Sequence, residues 1–356
     1  MKTVFPTERQ SDTFIYDTKQ TTQIQRFDNP KYPILTRLKN EQMDRMWTHK
    51  AFPFGRDTLD YTTLDDASKH AFKSNLQRQV MLDSIQGRSP IMVFSPFNSN
   101  PEWEALLSLI NMVETNVHSE SYTEQIRAIF ENPQEIFDEI MDIREIVGTA
   151  SDISKYYDNL MHTPIENTHE HKKAFWFALH AWNALEGIRF YVSFVTNWSI
   201  YHNGKKMFAS TQINKKIAQD EELHREATVV LKKYLINDDP EFADIDIKYR
   251  EELENIYLAV ANDEIQWIDY LFKHGELLGL TKKSLTEYIK WLTASRMRDM
   301  GFEYKGPVFD KSPMPWTESY LNSNYTQSPP QEGTLSEYNK DAIFQDDGAL
   351  TDSLEI

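Results

Sequence analysis

The chain has 356 residues, 40% of them hydrophobic, which is enough to bury a substantial core in one large domain or two ordinary ones. Its 38 Lys and Arg face 55 Asp and Glu, and the resulting net charge of −17 repels phosphate backbones; with only 11 Gly and no G-x-G-x-x-G or Walker-type stretch, nucleic acid and a nucleotide cradle are both disfavoured. Cysteine is absent, which excludes disulfides, thiolate metal sites and thiol redox chemistry carried by this chain.

Residues 1–60 are polar and Pro-broken ("NPKYPIL", "AFPFG"), with one helix expected around "NEQMDRMWTH". No signal-peptide pattern and no apolar run near the ~20 residues of a membrane helix is present, so a cytoplasmic protein free of the membrane is expected. From "TTLDDASKHAFKSNLQRQVMLDSIQG" onward, apolar residues recur at i, i+3, i+4, i+7 with Thr, Ser and Asp at capping positions. The period predicts helices over about 64–86, 101–130, 134–145, 150–161, 170–199, 210–235, 245–276 and 283–300. Long helices with short connections point to an all-α antiparallel bundle over 61–303. After Gly301, "SPMPWTESYLNSNYTQSPPQEG" is Pro-, Ser- and Asn-rich, so 304–356 reads as an extended, flexible tail. The tail ends in "AIFQDDGALTDSLEI", which sets Phe344, Leu350, Leu354 and Ile356 among acids, as a docking peptide or a frayed terminus would.

Several polar residues stand where a buried helix would not tolerate them unpaired. "AQDEELHREA" sets Glu221 and His224 at i, i+3, able to aim a carboxylate and an imidazole at one point. A single Glu-x-x-His arises by chance in many helices, and the solvated face is its ordinary reading. A dimetal bundle also needs single carboxylates from other helices. Asp83 in "QVMLDSIQGRSP" and Glu186 in "AWNALEGIRFYVSF" are acids in apolar stretches, costly there unless a cation or hydrogen bonds satisfy them. "LINMVETNVHSESYTEQI" adds Glu114, His118 and Tyr122 at four-residue intervals on one helix. Such an O/N donor set suits iron or manganese rather than thiolate-seeking metals. A second gathering, His162, His169 and His171 with Glu166 and Glu170 in "HTPIENTHEHKK", sits in a Pro-containing polar connection and reads as a solvated loop.

Taken in order, "LDSIQGRSP", "HSESYT", "NALEGIRFYVSF" and "AQDEELH" resemble the small (beta) subunit of class I ribonucleotide reductase, of the Ia type, across most of the chain. The resemblance implies a ferritin-like helical bundle in which Asp83, Glu114, His118, Glu186, Glu221 and His224 bind a dinuclear iron centre, with manganese the alternative. It implies that this centre, activated by oxygen, generates a stable radical on Tyr122, shielded by Phe190, Phe194 and Ile217. It further implies a relay through Trp47 and Asp220 to Tyr338 in the tail, a homodimer, and a large (alpha) partner subunit, bound through the tail, that reduces ribonucleotides to deoxyribonucleotides. The missing cysteines fit that division of labour, because thiol-based reduction must then lie on another chain.

One departure stands out. The family writes its first ligand pair as Glu-x-x-His, whereas three residues separate Glu114 from His118. The extra residue is absorbed as a π-bulge, or the pair ligates at i, i+4 from a regular helix, or Glu114 has left the ligand set. Two rival functions remain at this stage: another ferritin-like dimetal oxidase, such as a ligand-binding oxidase of the small-subunit type or a desaturase, and a metal-free helical interaction protein.

Overall fold

A computed structural model of the chain describes residues 4–6, 12–19, 22–307 and 309–321. Its helices, in chain order, are α1 (Pro33–Asp44), α2 (Gly55–Thr62), α3 (Asp66–Gln86), α4 (Ser89–Phe94), α5 (Pro101–Met112), α6 (Ser119–Ile129), α7 (Pro133–Asp138), α8 (Arg144–His162), α9 (His169–Ala184), α10 (Tyr191–Gly204), α11 (Phe208–Asp238), α12 (Glu241–Lys248), α13 (Arg250–Leu271), α14 (Lys282–Asp299) and α15 (Glu318–Leu321). Two π-helical turns, Val113–His118 and Leu185–Arg189, join α5 to α6 and α9 to α10. Among the described residues the only β pairing is an isolated bridge between Leu277 and Leu280. No helix there is long and apolar enough to cross a membrane.

Local chemistry starts these helices where the sequence allows. Asp65 accepts a hydrogen bond from the Ser68 amide at the head of α3, and Asn100 does so from Trp103, with Pro101 at the first helical position of α5. Thr168 caps α9, and Thr281 with Ser284 closes a reciprocal capping box on α14. Packing does the rest. Every residue of α10 from Tyr191 to Ile200 is buried, so this helix runs through the centre with α3, α11 and α13 around it. Trp176, Trp182, Trp198 and Trp267 are fully buried, and burial of a large apolar side chain stabilises by roughly 1.5–3 kcal/mol.

Three expectations are corrected. The N-terminal helix begins at Pro33 and ends at Asp44, so Trp47 lies just beyond it, and α1 packs on α5 and α11. The chain after Gly301 is helical over Pro315–Leu321 rather than extended, with the Tyr320 ring stacked on Trp198 at 4.9 Å. His171 is no solvated loop residue: it lies in α9, fully buried, its Nδ1 2.7 Å from the Tyr16 hydroxyl.

His180 in α9 is fully buried with Nδ1 3.1 Å from the Tyr257 hydroxyl, and burial pushes its pKa down to about 4, while Asp246 and Lys232 face it with opposing charges. The unfolded chain therefore binds a proton near pH 6.5 that the native chain refuses. Stability from a neutral His180 is fully present above that pH and is lost as pH falls toward 4, roughly 2 kcal/mol of it by pH 5. Urea unfolding of the metal-free protein at pH 7 and pH 5 is expected to show this loss, and His180→Gln to flatten it by about one proton. An equal slope in the variant would show that the proton goes elsewhere.

Candidate metal centre

The six candidate side chains come from four parts of the bundle. Asp83 projects from the last turn of α3, Glu114 and His118 from the first π turn, Glu186 from the second, and Glu221 and His224 from the middle of α11. The six meet in two overlapping groups, Asp83–Glu114–His118–Glu221 and Glu114–Glu186–Glu221–His224, whose donor atoms lie within 4.8 Å of one another in each group. Glu114 and Glu221 belong to both. Glu114 turns Oε2 toward His118 Nδ1 (3.3 Å) and Oε1 toward His224 Nδ1 (2.9 Å), and Glu221 sends Oε1 and Oε2 to the same two nitrogens at 3.6 and 3.4 Å. Asp83 approaches only His118 (3.8 Å) and Glu186 only His224 (4.0 Å).

The first π turn accommodates the extra residue. The Ser119 amide donates to the Glu114 carbonyl, an i→i+5 bond, and the wider turn keeps Glu114 and His118 on the same side. Gly87 makes room for it: a Cβ there would stand 2.9 Å from Thr115 Cγ2 and 3.4 Å from Glu114 Cβ. The carboxylate of Glu114 thus lies at the heart of the cluster despite the altered spacing.

All six side chains are buried, and many of their polar atoms have no hydrogen-bond partner: both oxygens of Asp83, Glu114 and Glu221, Glu186 Oε2, His118 Nδ1 and both His224 nitrogens. Burial of that kind is expensive unless a cation completes it. Burial, then the Glu114 charge, pushes Asp83 well above the usual carboxylate range; burial and the charges of Glu114 and Glu186 do the same to Glu221. Glu114 is also penalised by burial, but His118 and His224 outweigh it and hold the group at about 2. Four carboxylates and two imidazoles in so small a space are balanced by two divalent cations, so the residues fit a dimetal centre.

Tyr122, in the first turn of α6, is fully buried; burial and the charges of Asp83 and Glu221 push its phenol well above the usual value. Phe190 and Phe194 are buried and stacked at 5.8 Å, and Ile217 is buried one turn before Glu221 on α11. Asp220 Oδ2 lies 3.1 Å from His118 Nε2 and accepts the Trp47 indole N–H at 2.7 Å. That contact fixes the His118 tautomer, with Nε2–H toward Asp220 and the lone pair of Nδ1 toward the cluster. Tyr338, Phe344, Leu350, Leu354 and Ile356 lie outside the described residues.

Sequence reasoning missed four polar or aromatic neighbours. Gln42 on α1 donates to Asp220 Oδ1 at 2.9 Å. Trp182 and Gln86 both donate to Glu186 Oε1, and the Tyr157 hydroxyl donates to Gln86 Oε1 at 3.1 Å. Only the burial of Gln42 and Gln86 within helices could have marked them. His162 and His169 fall in neither metal-capable group of the described residues, nor does His171.

Comparison with known proteins agrees with this geometry. The chain is 37% identical over 339 residues to the ribonucleoside-diphosphate reductase subunit beta of Buchnera aphidicola subsp. Baizongia pistaciae, covering 90% of this chain and 89% of that one. It is 36% identical over 340 residues to the ribonucleoside-diphosphate reductase 1 subunit beta of Salmonella typhimurium, with the same coverage. Its fold matches the ribonucleotide reductase R2 subunit from Clostridium botulinum with a TM-score of 0.81 at 23% identity, over 90% of this chain and 98% of the other. The family profile "Ribonucleotide reductase, small chain" spans residues 25–312, and the chain belongs to that family.

Proposed function

We propose that the chain is the beta subunit of a ribonucleoside-diphosphate reductase, and that Asp83, Glu114, His118, Glu186, Glu221 and His224 hold its dinuclear iron or manganese centre beside a radical-bearing Tyr122. The observation that carries the reading is the pair of carboxylates, Glu114 and Glu221, each offering one oxygen to either half of a buried cluster next to a buried tyrosine. When bound and activated by oxygen, such a centre supplies the oxidising power that a tyrosine radical requires. Oxidation of Tyr122 would pass one electron to the centre and release the phenol proton toward the carboxylates of the cluster, of which Asp83 and Glu221 bear on the phenol most. The product persists because the ring is sealed from solvent, with Phe190, Phe194 and Ile217 supplying inert apolar walls.

Exchange with the outside runs along Trp47, Asp220 and His118, a hydrogen-bonded line from a nearly buried indole to the cluster. Tyr338 would extend it to a large subunit, which the apolar residues at the end of the tail would dock. A homodimer in the cytoplasm is the assembly and setting that suit this work. Tyr122→Phe, which keeps the ring and loses the oxidisable O–H, is expected to retain the metal complement while losing both the radical signal in electron spin resonance and turnover with the large subunit. A wild-type signal in that variant would move the radical to another residue and sink the assignment.

A further inference from the structure

Glu186 differs from the other three carboxylates of the cluster in what holds it. Asp83, Glu114 and Glu221 leave both oxygens without a hydrogen-bond donor, whereas Glu186 leaves only Oε2 so. Its Oε1 accepts two: the Trp182 indole N–H at 2.7 Å, from one turn earlier on α9, and the Gln86 side-chain amide, from the end of α3. Gln86 is itself oriented. The buried hydroxyl of Tyr157 on α8 donates to its Oε1 at 3.1 Å, which leaves the NH2 end of the amide facing Glu186. With the amide reversed, two oxygens would meet in a dry interior.

We propose that Trp182, Gln86 and Tyr157 form a clamp that withholds Glu186 Oε1 from the ligand set, so that Glu186 meets its metal through Oε2 alone. All three side chains and Glu186 are buried, so no water competes for the two N–H donors. Oε2 is the oxygen that faces His224, at 4.0 Å from Nδ1, so the clamp acts on the half of the cluster that His224 shares and leaves the His118 half untouched. The three are positioning residues: they act through the carboxylate and supply no metal-binding atom in this arrangement. Fixing the group in advance also removes the cost of ordering it when the ion arrives.

The inference rests on the cluster holding two metal ions, and the test separates the two claims. Full-length wild type, Tyr157→Phe, and the double variant Gln86→Leu with Trp182→Phe are loaded with 57Fe and compared by Mössbauer spectroscopy and by anaerobic Fe(II) titration. In the double variant one quadrupole doublet is expected to shift while the other stays, with affinity at one of the two positions weakened by about 10–100-fold. Tyr157→Phe, which alters no contact to Glu186 directly and preserves the ring, is expected to move the same doublet by less. Two bound ions with unchanged doublets, or an equal change in both, would overturn the clamp alone; a wild type that binds no iron would overturn it together with the metal-centre reading.

Discussion

Glu221→Ala is expected to empty both metal positions at once, taking the chain from about two bound ions to none in elemental analysis, with the helical content unchanged. The reason is geometric. Glu221 offers Oε1 on the His118 side and Oε2 on the His224 side, so its loss strips a donor from each half, whereas Glu186→Ala strips one from the His224 half only. Loss of an outer partner typically weakens a metal site 10–100-fold, and loss of a shared ligand should exceed that. The helix should not suffer, since alanine is the best helix former and α11 is 31 residues long. Metal-free stability should fall little, because burial and the charges of Glu114 and Glu186 make the Glu221 carboxylate costly, and relief from that repulsion offsets the cavity. Full metal occupancy in Glu221→Ala would remove the shared-ligand assignment, while Glu186→Ala keeping one ion would support the division into halves.

The long helices were legible because each shows the helical period over many residues, with Asp and Thr caps such as Asp65 and Thr168 to mark where some of them start. Short helices such as α2 and α4 present too few turns for a period to emerge. Near Trp47 the expected helix lay too far downstream: α1 opens at Pro33 and ends at Asp44. Among the cluster residues, Asp83 and Glu186 could be singled out as acids in apolar surroundings. Gln86, Tyr157 and Gln42 could not, because their contacts are set by packing between distant segments: Gln86 meets Glu186 across 100 positions, Tyr157 meets Gln86 across 71, and Gln42 meets Asp220 across 178. The extra residue before His118 was visible only as a departure from a family pattern. Whether it made a bulge depended on the i→i+5 bond to Ser119 and on the space left by Gly87, neither of which spacing can supply.

Trp47→Phe is expected to leave the metals and the Tyr122 radical in place and yet lower turnover with the large subunit by at least about three powers of ten, equivalent to roughly 4 kcal/mol of barrier. Phenylalanine fills most of the space of an indole that is only 9% exposed, so the loop after α1 should keep its place. What disappears is the N–H that Asp220 Oδ2 accepts, and with it the oxidisable ring that stands 6.1 Å, centroid to centroid, from His118. Asp220 keeps its other contacts, to His118 Nε2 and to Gln42, so the His118 tautomer and the ligand set are preserved. Gln42→Leu serves as the contrast. It frees Asp220 Oδ1 without breaking the line from Trp47 to His118, so a smaller loss of turnover, about tenfold, is expected there. Radical content by electron spin resonance, iron content and turnover measured on the same preparations separate the cases. Wild-type turnover in Trp47→Phe would show that the radical leaves the cluster by another route, and loss of radical or iron in that variant would show that Trp47 supports the cluster itself.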